Sequence, residues 1–363
     1  MASTVYFTDF NTHNGSRLTK LAKLIKAAGF YDIDFERKYA AIKIHFGEPG
    51  NLAFLRPNYA KVVADAVKSK GGKPFLTDCN TMYVGRRKDA VSHLDAAYEN
   101  GYSPLTTGCQ IIIGDGLKGT DEALIPIDGE FVKEAKIGRA VADADIIISM
   151  NHFKMHEEAG IGGALKNLGM GCGSRAGKTE MHCDGKPRSS DKCRGCGMCI
   201  KNCGQDAITL INGKAYINHE KCVGCGRCIG ICPFDAIHTN DFSAVDKLCK
   251  KISEYALAVV KDKPSFHISF VMDITPACDC HAGNDSPIVA DIGIFASTDP
   301  TALDVACADA VNNAPVLSGS LLDGKKPQGD HFKTMYPHTD WRVGPEHAEK
   351  IGLGSTKYEL IKV

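Results

Sequence analysis

The feature that most constrains this chain is a cysteine pattern that occurs twice. Each copy has three cysteines separated by two residues and a fourth after three more. Three thiolates with this spacing can surround one small inorganic cluster, because only two residues separate successive ligands. The copies consist of Cys193, Cys196, Cys199 and Cys203, and of Cys222, Cys225, Cys228 and Cys232. They align without a gap, which indicates a duplicated cluster-binding unit.

The fourth cysteine of each copy is predicted to bind the cluster of the other copy. The segment from Lys192 to His238 resembles the bacterial ferredoxins with two [4Fe–4S] clusters, in which the fourth ligand crosses over. The predicted ligand sets are Cys193, Cys196, Cys199 and Cys232 for the first cluster, and Cys222, Cys225, Cys228 and Cys203 for the second. Zinc and disulfides are the alternatives, although zinc usually binds paired Cys-x2-Cys units. The sequence departs from these ferredoxins at Gly204, which replaces proline.

The cluster segment is predicted to be an insert in a larger domain. We assign residues 1–185 and 241–363 to a discontinuous α/β domain, and residues 186–240 to a ferredoxin-like α+β domain. Within the insert, Asn212-Gly213 between two short apolar runs predicts a β-hairpin. Domain insertion is favoured when the two ends of the insert lie close together.

Apolar runs alternate with helical patterns on both sides of the insert. The predicted strands include Thr4–Asp9, Ala40–Phe46, Lys73–Thr77, Gln110–Ile113, Ala144–Met150, Ser265–Ile274, Ile288–Phe295 and Tyr358–Val363. The predicted helices include Arg17–Ala28, Pro57–Lys70, Arg86–Asn100, Val132–Val141, Ser243–Lys261 and Pro300–Asn312. This alternation predicts an α/β fold with a mostly parallel sheet.

Charge and hydropathy exclude some partners. The chain has 43 Lys and Arg residues and 43 Asp and Glu residues, which argues against nucleic acid or an anionic membrane as the main partner. The sequence contains no apolar run long enough to span a bilayer and does not begin like a signal peptide. Of 16 cysteines, eight lie outside the double pattern. A protein this rich in cysteine and iron–sulfur ligands is expected in a reducing cytoplasm.

A glycine-rich segment, Asn151–His182, follows the predicted strand Ala144–Met150. Open α/β sheets bind ligands at the carboxyl ends of their strands. A glycine-rich turn that opens a helix also offers backbone N–H groups to an anion. The predicted cofactor-binding residues are Gly160, Gly162, Gly163, Lys166 and Asn167. The alternative is a surface loop without a ligand.

Three loops are expected to meet in one pocket, because each follows a strand at the same sheet edge. They carry His45, His156, Lys166 and Asp273, which are the predicted catalytic residues. The two histidines can exchange protons near neutral pH, and Lys166 supplies positive charge. The third loop also contains Cys278, Cys280 and His281, which can bind a soft metal, although most cysteines are simply buried.

The sequence resembles the DUF362 family of uncharacterised iron–sulfur proteins over nearly its whole length. The most specific parts of the resemblance are Gly163–Gly169 and Asp291–Pro300. Membership implies an α/β domain with an inserted ferredoxin and a cytoplasmic redox role, without a known reaction. A weaker likeness is to the lactate racemase family, in which a similarly spaced His and Lys flank glycines. From that likeness we take only the suggestion that Lys166 faces the pocket, and nickel is not predicted.

Two functions from different classes fit these features. The first is a redox enzyme that passes electrons between the clusters and a small-molecule or cofactor site on the α/β domain. The second is a non-catalytic electron carrier or delivery subunit that recognises a redox partner protein. The size of the α/β domain favours the first, because an electron carrier needs far fewer residues. A structural or oxygen-sensing role for the clusters is a third possibility.

Overall fold

The computed structural model describes residues 2–82, 85–183, 187–203, 205–222, 228–229, 232–234, 236–238 and 245–363. The predicted ligand Cys225, Gly204 and the predicted domain boundaries near residues 185 and 240 lie outside these ranges. Sixteen strands are present: β1 (Ser3–Asp9), β2 (Tyr39–Lys43), β3 (Lys73–Asp78), β4 (Gln110–Ile113), β5 (Glu122–Pro126), β6 (Glu134–Gly138), β7 (Ile146–His152), β8 (Lys154–His156), β9 (Gly160–Gly162), β10 (Arg188–Ser189), β11 (Ile208–Ile211), β12 (Lys214–Ile217), β13 (Ile237–His238), β14 (Ser265–Val271), β15 (Gly293–Ser297) and β16 (Tyr358–Lys362), all within the described ranges.

The α-helices in the described ranges vary from one turn to more than four. They are α1 (Arg17–Ala27), α2 (Pro57–Lys68), α3 (Ala90–Glu99), α4 (Pro104–Thr107), α5 (Arg139–Asp143), α6 (Ala164–Cys172), α7 (Arg175–Cys183), α8 (Met198–Lys201), α9 (Val245–Val260), α10 (Pro300–Asn312), α11 (His331–Met335) and α12 (Val343–Lys350). The described part of the chain contains no helix with both the length and the apolar character needed to cross a bilayer.

One eight-stranded sheet organises the structure, in the order β16-β1-β15-β14-β7-β2-β3-β4. Only β15 runs antiparallel to its neighbours β1 and β14, and the other five pairings are parallel. The predicted mixed α/β fold with a mostly parallel sheet is confirmed. Strands from both sides of the cysteine-rich segment contribute, because β14, β15 and β16 follow it in the chain.

The sheet is covered on both faces, as its continuous apolar strands require. In β7, Ile146 and Ile148 pack with one core cluster, which includes residues of α1 and α2. Ile147 between them packs with a second cluster, which includes residues of α6 and α9. Successive side chains of a strand point to opposite faces, so one apolar run supplies both layers.

The predicted helix Val132–Val141 is wrong. Residues Glu134–Gly138 instead form β6, which pairs antiparallel with β5, and only α5 that follows is helical. Ala135 and Ile137 are buried, whereas Lys136 between them is half-exposed. This period of two fits a strand, but a run this short also fits the period of a helix.

The cysteine-rich segment has its own small sheets. The predicted hairpin is present as β11 and β12, with Asn212 and Gly213 both at positive φ, 52° and 73°. Near the two ends of the segment, β10 pairs with β13, Arg188 opposite His238. Residues 188 and 238, which lie close to the two ends of the segment in sequence, are therefore neighbours in the structure.

Candidate functional site

A cavity of about 580 Å³, open to solvent, lies at the carboxyl ends of β2, β3 and β7. Its walls carry many polar side chains: Lys43, His45, Asp78, Arg87, His152, Lys154, Lys166, Asn167, Lys178, Cys278 and Cys280. Gly162 and Gly163 also line it. The structure thus brings together the three loops that the sequence predicted to meet, at the sheet edge where ligands bind in such folds.

Buried ion pairs form the wall beside β2 and β3. Lys43 Nζ lies 3.1 Å from an oxygen of Asp78, and Arg87 Nε lies 2.9 Å from an oxygen of Glu48. Burial alone would raise the pKa of Asp78, but Lys43, His45 and other neighbouring groups hold it well below its usual range. Asp78 is therefore a carboxylate that balances the nearby positive charge.

Asp279 forms a second buried ionic group. Its carboxylate contacts His152 Nδ1 at 2.9 Å and Lys154 Nζ at 3.1 Å. His152 also contacts the carbonyl oxygen of Met272 through Nε2, at 2.8 Å. Burial opposes ionisation, yet His152 and Lys154 keep the pKa of Asp279 well below its usual value. This group fixes β7 to the loop that carries the two cysteines.

Lys166 points from α6 to a cysteine. Its Nζ lies 3.6 Å from Cys278 Sγ. Burial alone would lower the pKa of Lys166, but Cys278, Cys280 and Glu157 raise it above its usual value. The pKa of the Cys278 thiol is well below its ordinary value, because Cys280 hydrogen-bonds to it and Lys166 and Lys154 outweigh its burial. The pair is an ammonium facing a thiolate.

His156, Cys278 and Cys280 bring one ring nitrogen and two sulfurs within 4.8 Å of one another. His281 does not join them as the sequence had suggested. Its ring instead contacts Glu157 at 2.7 Å. His156 replaces it because β8 and β9 fold back as a short hairpin over this loop.

The glycine turn does not present a free helix terminus. Both oxygens of Asp304, from α10, accept hydrogen bonds from the first N–H groups of α6, those of Ala164 and Leu165, at 2.6 and 2.9 Å. A Cβ on Gly163 would lie 2.2 Å from Asp304. The predicted anion site at this terminus is therefore corrected, since a carboxylate of the protein already fills it.

Gly160 lies outside the cavity and packs against the backbone of Trp341 at a φ of 74°. Asn167 lines the cavity but its amide is already engaged. It accepts from Lys43 Nζ at 2.6 Å and donates to Asn151 Oδ1 at 2.8 Å. Through these hydrogen bonds Asn167 connects α6 to strands β2 and β7 of the sheet.

Two of the predicted catalytic residues differ from expectation, Asp273 in its position and His45 in its protonation state. Asp273 does not line the cavity, and it lies 3.4 Å from Arg56 at the surface, with its φ at 45°. The carboxylate that this loop places near the cavity is Asp279, which is buried behind the wall against His152 and Lys154. His45 lines the cavity, but burial and Arg87 hold its pKa well below 6.5. It is a neutral ring near pH 7 and not a proton-exchanging group there.

A second cavity lies in the cysteine-rich segment. Its lining includes Cys193, Cys196, Cys199 and Cys232, the four residues assigned to one cluster. The N–H of Ala215 donates to Cys193 Sγ and the N–H of Ala236 donates to Cys232 Sγ, both at 3.3 Å. Backbone N–H groups directed at sulfur are typical of iron–sulfur sites, where they tune the cluster.

The other predicted set is described in part. Cys203 and Cys222 pack against a small apolar cluster that includes Cys228. The fourth member, Cys225, lies outside the described residues. Each cysteine whose side chain the structure describes has a free thiol, so the disulfide alternative has no support among them.

Sequence reasoning missed several cavity residues. Lys43 lies within a strand that reads as core, and Asp78 ends the next strand. Arg87 lies in the loop before α3, inside a segment predicted to be helical. Asp78 could have been found from its position at the carboxyl end of a predicted strand. The same position had identified His45, because ligands bind at the carboxyl ends of parallel strands. The charge pairs themselves depend on contacts distant in sequence.

The fold and the site together define a class: α/β proteins with a mostly parallel sheet, a charged cavity at the carboxyl ends of its strands, and a cysteine-rich segment between two halves of the sheet. The family model DUF362, described as a domain of unknown function, matches residues 40–309. The chain belongs to the DUF362 family.

One relative is the thylakoid-associated protein sll1697 of Synechocystis sp., 28% identical over 124 residues, which cover 34% of this chain and 35% of that protein. Among solved structures, the lactate racemase apoprotein from Thermoanaerobacterium thermosaccharolyticum is 12% identical with a TM-score of 0.42, covering 86% of this chain and 58% of that one. A structural genomics target from Thermotoga maritima is 13% identical with a TM-score of 0.38, covering 81% and 57%. The chain spans less than two thirds of each of these proteins.

Proposed function

We propose that this protein is a cytoplasmic redox protein with two [4Fe–4S] clusters. The first cluster is held by Cys193, Cys196, Cys199 and Cys232, and the second by Cys222, Cys225, Cys228 and Cys203. Residues 186–240 form the ferredoxin-like domain in this proposal. The clusters exchange electrons with a small molecule bound in the cavity of the α/β domain, which makes the protein an oxidoreductase.

The observation that carries the proposal is the composition of the cysteine cavity. Its four cysteines come from both copies of the pattern, three from the first and Cys232 from the second. Crossed ligation requires this grouping, whereas two independent zinc sites would group each copy separately. Gly195 supports the fit, because its φ of 65° lets the loop turn between ligands and a Cβ there would meet the backbone of Gly213 at 2.4 Å.

The charges of the α/β cavity favour a small anionic substrate. Lys43 and Lys154 are balanced by Asp78 and Asp279. Lys166 faces a thiolate, and Lys178 donates to the carbonyl oxygens of Gly171 and Gly173, 3.3 and 2.6 Å away. Among the described residues, neither of these two lysines forms a close ion pair with a carboxylate, so both can attract an anion that enters the cavity.

Metal and sulfide analysis of paired cysteine variants tests the cluster assignment. Cys199→Ala removes a proposed ligand, and Cys249→Ala removes a comparably buried cysteine outside both patterns. We expect the first variant to lose iron and acid-labile sulfide, and the second to retain the wild-type content. Equal metal content in both variants, or zinc without sulfide in the wild type, would contradict the assignment.

An electron carrier for a partner protein is the second candidate, and one observation favours it. Large apolar side chains are exposed around the cysteine cavity, and Met198, Leu210 and Phe234 among them also line it. Exposed apolar groups beside a cluster suit transient docking of a redox partner. Substitution of Phe234 by Ser is expected to slow electron exchange with such a partner and to leave the iron content unchanged.

A further inference from the structure

Cys278 and Cys280, which are separated by one residue, both line the cavity of the α/β domain. Cys278 is nearly fully buried and Cys280 is half-buried. Neither cysteine is a ligand of the proposed clusters. Their surroundings decide between a metal site and a reactive thiol pair.

The hydrogen bonds of His156 argue against a metal. Its Nδ1 accepts from the backbone N–H groups of Glu158 and Ala159, both at 3.1 Å. A neutral imidazole that accepts at Nδ1 carries its proton on Nε2. The ring therefore donates to Cys278, with which it hydrogen-bonds, and does not offer a lone pair to an ion.

The remaining contacts stabilise one deprotonated and one protonated sulfur. Lys166 Nζ lies 3.6 Å from Cys278 Sγ, and Cys280 hydrogen-bonds to the same atom. Cys278 is thus the thiolate and Cys280 the thiol that donates to it. A thiolate with an adjacent thiol is the arrangement that thiol–disulfide exchange requires.

We propose that Cys278 and Cys280 form a redox-active dithiol that reduces a small anionic disulfide in the cavity. The Cys278 thiolate attacks one substrate sulfur, forming a mixed disulfide and releasing the first substrate thiolate. The sulfur of Cys280 then attacks Cys278 Sγ, its proton passes to the released thiolate, and the second substrate thiolate leaves. The products are a Cys278–Cys280 disulfide, one substrate thiol and one substrate thiolate.

The return step rests on the proposed function. Two electrons and one proton would convert the protein disulfide back to a thiolate and a thiol, and the two proposed clusters would supply one electron each. The two proposed clusters together would hold the two electrons that reduction of a disulfide takes. Lys166 and Lys178 would attract the anionic groups of the substrate.

Glutathione disulfide, an anionic disulfide, serves as the probe for anaerobically purified full-length protein. After incubation, acid quenching and thiol alkylation, mass spectrometry reads each cysteine. We expect a Cys278–Cys280 disulfide in the wild type, reversed by a phosphine reductant. In Cys280→Ser, glutathione should remain attached to Cys278, since the resolving sulfur is absent. Cys249→Ser should behave as the wild type.

Full alkylation of both cysteines after exposure to the probe, or glutathione attached equally to Cys249, would overturn the proposal. So would stoichiometric zinc bound to these two sulfurs in protein purified without added metal. The reduction of the protein disulfide by the clusters is tested separately. If the disulfide forms but reduced methyl viologen restores the thiols equally fast in wild type and Cys196→Ala, the dithiol stands and electron delivery by the clusters falls.

Discussion

At the scale of single residues, Gly163 illustrates how the site depends on close packing. It precedes α6, and its missing side chain leaves room for Asp304 of α10. The sequence had indicated a functional glycine turn, and the position is indeed constrained. The constraint comes from a carboxylate of the protein, which no local pattern reveals because residues 163 and 304 are far apart in the chain.

Gly163→Ala is predicted to destabilise the protein by about 2 kcal/mol or more, because its Cβ would lie 2.2 Å from Asp304 and displace the carboxylate from α6. Gly162→Ala is the matched control, since its Cβ would meet only the flexible Lys154 side chain at 3.7 Å. Thermal unfolding of both variants under anaerobic conditions measures the difference. Equal melting temperatures would contradict this account of Gly163.

Elements differ in how well their sequences predict them. The start of α10 at Pro300 was predicted from Asp299, whose carboxylate accepts from the N–H groups of Thr301 and Ala302 at 2.8 and 3.0 Å. This cap is local and therefore readable. The start of α6 depends on Asp304, which is distant in sequence. The segment of β6 was misread because a short amphipathic run fits either period.

The Asp304 cap predicts a pH dependence. Burial raises the pKa of this carboxyl from 3.8 to about 7, although the N–H groups of Leu165 and Ala164 oppose the shift. The carboxyl group therefore holds its proton more tightly in the folded than in the unfolded chain. The stabilisation that the protonated Asp304 gives the fold is complete below about pH 4 and is lost as pH rises to about 7. The melting temperature of the wild type relative to Asp304→Asn should therefore be higher at pH 5 than at pH 8, by roughly 2 °C or more.

Asn at this position keeps the size of the side chain but does not titrate, so the comparison isolates the carboxyl group. A difference between wild type and Asp304→Asn that stays constant from pH 5 to pH 8 would contradict the raised pKa.

At the scale of the whole molecule, the location of the candidate site could be predicted mainly because ligand-binding loops follow the carboxyl ends of parallel strands. His45, Lys166, Cys278 and Cys280 meet because their loops follow strands at the same end of a mostly parallel sheet. The rule locates loops and not individual side chains, so it included Asp273, which faces Arg56 at the surface. Charge pairs such as Lys43 with Asp78 depend on strand neighbours, whose order in the sheet is not encoded by any one segment.

Replacement of residues 186–240 by a short Gly/Ser linker is predicted to leave a folded α/β protein without iron. The pairing of β10 with β13 places residues 188 and 238 side by side, so a short linker is expected to bridge the α/β domain. Far-UV circular dichroism and iron analysis of this variant test the prediction. Loss of secondary structure well beyond the removed residues would mean that the segment is integral to the core.

The central claim is that the double cysteine pattern holds two [4Fe–4S] clusters in one electron-transfer unit. Electron paramagnetic resonance of the anaerobically purified, chemically reduced protein, quantified against iron and sulfide, tests it most directly. About eight irons and about eight sulfides per chain are predicted, with a spectrum of two interacting [4Fe–4S]⁺ centres. A spectrum with no signal from a reduced cluster, in protein that contains zinc and no sulfide, would contradict the claim.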